Sequence, residues 1–266
     1  VQYDERLTIV ERHLGLVPSN EAEAARVHVD EIARLIVAQV DLDSLLDIAR
    51  EASFFATASV SAGVGSALVR TGGPLVRVGI AQDAAFGFYY PGDLEALRAA
   101  GAELVPFDAM RDRRLPQIDA LFIGGGFPET HMDALAANAS LRAELRNAIE
   151  AGLPAYAECG GLMVLARSIE WNGRRAEMAG ALPVDIVMHA RPVGRGYVHL
   201  RETGDGLWPA RDGDAPLIRA HEFHYSSVEN LAPATRFAYA VERGHGIDGR
   251  HDGIVHHNLL ASYAHL

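Results

Sequence analysis

Leu153-Pro154-Ala155-Tyr156-Ala157-Glu158-Cys159-Gly160-Gly161-Leu162-Met163-Val164-Leu165 joins one short apolar run to another through a cysteine followed by two glycines. The first run reads as a buried strand and the second as an apolar helix. A residue on so sharp a strand-to-helix turn projects its side chain at the carboxyl end of a sheet, and the residues after it must be small. Cys159 is therefore a candidate nucleophile, with a helix N terminus behind it that suits a negatively charged sulfur. The bland alternative is a core cysteine closing a strand.

A second stretch bears on that choice. Leu121-Phe122-Ile123-Gly124-Gly125-Gly126-Phe127-Pro128-Glu129 is an apolar strand followed by three glycines. Its backbone N–H groups are placed to point at a substrate at the same sheet edge. The amides of Gly125 or Gly126, with that of Gly160, are candidates for an oxyanion hole, where loss of one donor typically costs about 3 kcal/mol. A plain tight turn is the competing reading.

Working outward, apolar runs at Val76 to Ala81, Ala102 to Phe107 and Ile118 to Ile123 alternate with a helical stretch near Gly92 to Ala100. Another helix is expected from about Asn138 to Ala151, with Leu141, Leu145 and Ile149 on one face. Strand, helix, strand is the grammar of an α/β protein with a parallel sheet. Beyond Trp171 turn residues multiply, and candidate strands at Leu217 to Ser226, Arg236 to Glu242 and Gly253 to Tyr263 are expected to extend the sheet. Arg191 and Arg195 read as solvated loop residues. At the other end, Glu21 to Ala52 has helical spacing with a break near Asp41, and Ser53 to Pro74, rich in Ala, Ser and Gly, reads as a linker.

The chain has 266 residues, 49% of them hydrophobic, enough for one large or two modest cores. Its 24 basic residues against 35 acidic give a formal charge of −11, without the basic stripe that a nucleic acid partner requires. No apolar run approaches the about 18 residues of a membrane helix, and the first residues are not a signal peptide, so a cytoplasmic protein is expected. A single cysteine excludes an internal disulfide.

A sulfur attacking an amide needs a proton donor for the leaving group, usually histidine, and there are twelve. In His221-Glu222-Phe223-His224 an extended backbone turns the two histidines to opposite sides, which argues against chelation. The adjacent His256 and His257 are likewise expected to point apart, and His245 and His251 sit among glycines in a turn. No metal site is expected.

The two glycine motifs, with the closing Ala261-Ser262-Tyr263-Ala264-His265-Leu266, resemble the cobyrinate a,c-diamide synthases and cobyric acid synthases, which are class I glutamine amidotransferases. The likeness extends to Glu11–Pro18 and to Arg219–Ser226. It implies a flavodoxin-like, doubly wound, mostly parallel sheet with helices on both faces and extra C-terminal strands. It makes Cys159 the nucleophile and His265 the residue that activates it. Many class I relatives place a glutamate two residues after that histidine; no such acid is present here, and the resemblance implies a Cys–His dyad. Glu129, Gly161, His221, Glu222, His224, Tyr225 and Ser226 become candidates for the glutamine pocket or an interdomain face, with core hydrogen bonding as the alternative for the last five.

The resemblance also implies an amino-terminal ATP-binding domain like dethiobiotin synthetase, using ATP and Mg2+, yet no G-x-x-x-x-G-K-[S/T] run occurs. Residues 1–52 are therefore expected to be the tail of a synthetase domain, 53–74 a linker and 75–266 the glutaminase domain. Expected partners are L-glutamine, a modified tetrapyrrole acid with acetate side chains, a synthetase domain supplying the ATP site and, as an open alternative, a second copy of the chain. Sirohaem or nickel sirohydrochlorin as acceptor, a cysteine peptidase, and a tetrapyrrole-binding subunit with a vestigial site are the competing functions.

Overall fold

The computed structural model describes residues 22–52, 75–207 and 217–266. The expected linker 53–74 and the block Glu11–Pro18 lie outside the described residues. The chain divides into two units, Val1–Val69 and Arg70–Leu266. In the first, α1 (Ala22–Gln39) and α2 (Leu42–Glu51) are separated at Asp41, whose carboxylate caps α2 by accepting from the Ser44 N–H at 3.0 Å.

The second unit begins with β1 (Val76–Ala81), β2 (Phe86–Phe88), α3 (Pro91–Ala99), β3 (Ala102–Phe107), β4 (Ala120–Ile123) and β5 (Gly125–Gly126). A 3-10 turn at Pro128–His131 leads into α4 (Met132–Ala137), α5 (Ala139–Glu150), β6 (Ala155–Glu158) and α6 (Gly160–Leu165). Then come β7 (Ser168–Trp171), β8 (Arg174–Glu177), β9 (Asp185–Met188), β10 (Gly194–Glu202), β11 (Ile218–His224), β12 (Ser226–Glu229), β13 (Arg236–Arg243), β14 (His251–His256) and β15 (Leu259–Ser262).

Five parallel strands lie in the order β3-β1-β4-β6-β15. By position along the chain this is 2-1-3-4-5, the flavodoxin-like order, whose ligand sites lie at the carboxyl ends of the strands. Beyond β15 the sheet continues antiparallel through β14, β13, β10 and β11. Alternation along β4 and β6 separates two cores. Leu121, Ile123, Ala155 and Ala157 face the side packed by Leu141, Leu145 and Ile149 of α5 and by α6. Phe122 and Tyr156 face Leu97 of α3.

Two stretches depart from the expected pattern. Gly253 to Tyr263 is two strands, because His257 takes a left-handed backbone (φ 50°) and makes a tight hairpin without glycine or proline. The rings of His256 and His257 consequently meet edge to face at 4.4 Å rather than pointing apart. Arg195 belongs to β10, not to a loop, and its guanidinium lies 5.5 Å over the Phe223 ring. Gly194 and Gly196 make that strand read as a turn, yet Gly194 is needed because any Cβ there would strike His224 and Glu222.

A second sheet, β12-β9-β7-β8, packs Ile169, Ala176, Ile186 and Val228 into the core beside α6. Asp185 holds it together, accepting from Ser168 Oγ at 2.8 Å, Asn230 Nδ2 at 2.8 Å, Arg175 at 2.9 Å and Arg167. Burial alone would raise this carboxyl, but the bonds from Arg167, Asn230 and Ser168 outweigh it and hold it down to about 2. Asp185→Asn is expected to cost about 2 kcal/mol in urea melts near neutral pH. Because the folded value lies below the unfolded 3.8, the contribution is complete above that pH and is lost as pH falls through 2. The variant should therefore show a flatter acid limb of stability than the parent.

Candidate active site

The strand β6 runs between β4 and β15 and ends at Glu158, and the chain reverses at Cys159 with φ 47° and ψ −103°. This left-handed conformation strains a residue with a Cβ, and it persists because both sides are anchored. The Cys159 N–H donates to Ser262 O at 2.8 Å, and its carbonyl accepts from Met163 N at 3.1 Å as α6 begins. Every residue of α6 is buried, so an apolar six-residue helix forms here through packing rather than propensity.

Two glycines allow the turn to press against the neighbouring loop. A Cβ on Gly161 would strike the carbonyl of Ile123 at the end of β4. One on Gly160 would lie 2.9 Å from the N atom of Gly126. The two glycine motifs are thus in contact, and Gly160, first in its helix, has an N–H without an intrahelical acceptor. The other motif is held in extended form by pairing of β5 with β2. Tyr89 ties it to the sheet: its hydroxyl accepts from Gly124 N at 3.2 Å and donates to Ala81 O at 2.7 Å. Glu129 is buried in the adjoining 3-10 turn.

His265 follows β15, the strand paired with β6. An antiparallel bridge joins it to His221, with His265 N donating to His221 O at 2.8 Å and His221 N to His265 O at 3.2 Å. The preceding residues are anchored by the buried carboxylate of Asp252, which accepts from Tyr263 N and Ala264 N at 3.0 and 2.9 Å. The His265 ring is acted on by Cys159 and lies against Gly125, where a Cβ would come within 2.9 Å of Cε1. Its Nδ1 is 3.2 Å from Oε2 of Glu158. Burial lowers its affinity for a proton, but Cys159 and Glu158 together outweigh burial and raise it to about 10. At neutral pH His265 is an imidazolium.

His221 stacks on that ring at 5.0 Å between centroids and meets the Tyr90 hydroxyl at 3.1 Å. Burial, and then the charge of His265, push its proton affinity down, so the stack pairs a neutral ring with a charged one. Glu222 and His224 point to the opposite face of β11. Glu222 accepts from His245 N and Gly246 N at 2.7 and 2.8 Å. His224 stacks on Tyr263 at 3.7 Å. Ser226 Oγ is 2.7 Å from the Tyr263 hydroxyl, so it and His224 pack behind the closing segment. Tyr225 lies against Phe223 at 5.9 Å and accepts, through its carbonyl, from His189 N. Of the pocket candidates on β11 and β12, His221 lies directly against His265. Sequence reasoning passed over Glu158 and Tyr90, although strand alternation places Tyr156 and Glu158 on one face. Among the described residues no group of three His, Cys, Asp or Glu could hold a metal ion.

A nucleophile turn with a histidine delivered from the last strand, on a 2-1-3-4-5 sheet, is the arrangement of class I glutamine amidotransferase folds. Solved structures agree at the level of fold. PurLQS from Thermotoga maritima superposes with TM-score 0.54 at 16% identity over 72% of this chain and 88% of its own. A glutamine amidotransferase from the same organism gives 0.50 at 14% over 73% and 76%. The chain belongs to the CobB/CobQ-like glutamine amidotransferase domain family, whose model matches residues 77–266. Similar curated relatives include the cobyrinate a,c-diamide synthases of Magnetococcus marinus, 49% identical over 98% of this chain, and Archaeoglobus fulgidus, 39% identical over 96%. The chain spans about 55% and 54% of their lengths, respectively.

Proposed function

We propose that residues 75–266 form a glutaminase domain that hydrolyses L-glutamine to glutamate and ammonia. It would serve an ATP-dependent amidotransferase that amidates the a and c acetate carboxylates of a cobyrinate-like tetrapyrrole. The contact of His265 with Cys159 beside two apposed glycine loops carries the reading. The sulfur of Cys159 attacks the side-chain amide carbon, and the amides of Gly125 or Gly126 and of Gly160 hold the oxyanion. His265 protonates the departing ammonia, and water then releases glutamate from the thioester, with His265 taking the water proton. Cobyrinate is favoured as acceptor because it is named in the relatives of highest identity given above.

The sequence contains no lysine at all, its 24 basic residues being arginine, so it offers no phosphate-loop lysine and no step here is routed through ATP. ATP and Mg2+, which activate the acceptor carboxylate as a phosphate, are assigned to the portion of the relatives beyond the matched length, with residues 1–52 as the tail of that portion. No helix among the described residues is long and apolar enough to cross a membrane, and a cytoplasmic setting fits a soluble tetrapyrrole acid.

The test is glutamate release from glutamine by this chain and by Cys159→Ser, each alone and with a relative's synthetase portion, ATP, Mg2+ and cobyrinate. Hydrolysis by the parent only is the expected result. Absence of hydrolysis in every combination would replace the reading with a binding subunit whose glutaminase site is vestigial.

A further inference from the structure

Glu158 is the last residue of β6 and immediately precedes Cys159. It shares one face of the strand with Tyr156, while Ala155 and Ala157 face α5 and α6. Only 6% of it is exposed. The Tyr156 hydroxyl donates to Oε1 at 2.7 Å, and Leu266 N approaches the same oxygen at 3.4 Å. Oε2 is thereby left for Nδ1 of His265, 3.2 Å away. Among the described residues the ion-pair partner of Glu158 is His265. A carboxylate buried this deeply is costly without a counter-charge, and the one it has is the imidazolium that touches the nucleophile.

We infer that Glu158 is the positioning acid of a Cys159–His265–Glu158 triad, holding the His265 ring through Nδ1 so that the other nitrogen, Nε2, serves Cys159. This rests on the reading of Cys159 and His265 as the hydrolytic pair. Acid and nucleophile are consecutive residues, which an ordinary strand would send to opposite faces. The left-handed backbone at Cys159 breaks that alternation, and both side chains reach one ring. The arrangement does for His265 what an aspartate does in a serine-protease triad: it fixes tautomer and orientation and stabilises the imidazolium.

The groups facing His265 are Cys159 and Glu158 from the β6 turn and His221 from β11. Tyr156 and, on α3, Asp93 act on Glu158, and Tyr90 acts on His221. Removing the Glu158 charge takes away an anion that favours protonated His265, so the imidazolium is lost at a lower pH. The same charge also raises the proton affinities of His221, Asp93 and Tyr156, so these move down with it, and the His265 titration is followed on its own ring signals.

The experiment compares the parent with Glu158→Gln, which keeps shape and a hydrogen-bonding oxygen. Expected are a fall in kcat for glutamine hydrolysis of about 10- to 100-fold, KM for glutamine within about twofold, and an alkaline limb of kcat/KM displaced to lower pH. A charge-independent structural role would change the melting temperature and KM without moving that limb. NMR titration of the His265 imidazole needs no substrate and is decisive even if the parent fails to hydrolyse glutamine. A proton affinity for His265 that drops in Glu158→Gln supports the triad. One that is the same in both proteins, or an unchanged kcat with an unmoved limb, overturns it. Activity lost in Cys159→Ser but intact in Glu158→Gln would leave the hydrolytic pair standing and remove only the acid.

Discussion

Cys159→Ala is expected to lower kcat/KM for glutamine hydrolysis by about 10^4-fold or more, because no covalent intermediate can form and the remaining machinery supplies only binding and oxyanion stabilisation. Folding stability should change by less than about 1 kcal/mol, since a small buried side chain is shortened by one atom. Alanine inherits the left-handed φ of 47°, so the strain of the turn is retained and is not the source of any change. His265 loses the Cys159 sulfur, one of the two neighbours that raise its proton affinity, so that affinity should fall from about 10. Glutamate release, urea melts and titration of the ring separate these effects. Residual hydrolysis above a few per cent of the parent, in protein of unchanged stability, would assign the chemistry to another residue.

Gly126→Ala is the second large effect, and its cause is steric. A Cβ at this position would lie on the carbonyl oxygen of Ala85, within 2.9 Å of the carbonyl carbon and 3.0 Å of Phe86 Cα. All three are backbone atoms, which cannot swing aside as the end of a flexible side chain can. The segment is fixed further by Phe127 N donating to Ala85 O at 2.8 Å. The β2–β5 pair must therefore separate, at a cost of about 2–3 kcal/mol. The same movement displaces the Gly126 amide from the Gly160 turn. If that amide is an oxyanion donor, kcat falls by about 10^2- to 10^3-fold. Gly92→Ala serves as the control: its Cβ meets nothing within 4 Å, and it sits in the first turn of α3. Activity there should be unchanged, with stability equal to the parent or slightly higher. A Gly126→Ala enzyme that loses stability yet keeps kcat would move the oxyanion donor to Gly125.

The residue pattern alone carried much of the α/β architecture. The runs Val76–Ala81 and Ala102–Phe107 coincide with β1, buried from Val78 to Ala81, and with β3, the edge strand of the sheet, whose apolar residues are only partly covered. The helix expected from Asn138 is capped by Asn138 itself. Legibility failed where backbone geometry is set by pairing partners rather than by composition. β10 hides behind its glycines, and the hairpin at His257-Asn258 turns without glycine or proline. The three strands β7, β8 and β9 are too short to show a period.

The local sequence determined the elbow: a strand, a cysteine, two glycines and an apolar helix leave the chain few other ways to turn, because only small residues can approach Ile123 and Gly126 so closely. Likeness to a family, and not spacing, brought out His265. What the tertiary structure decided is the carboxylate that meets His265. Glu158 and His265 stand 107 positions apart, one ending β6 and the other just past β15, and the adjacency of those two strands is created by the 2-1-3-4-5 order of the sheet. No periodicity in one dimension encodes which rings and carboxylates meet across such a crossover. The same order stacks His221 on His265 and brings Tyr90 to it from the start of α3. Local steric rules set the turn at Cys159, and long-range strand pairing set which rings and carboxylates meet beside it.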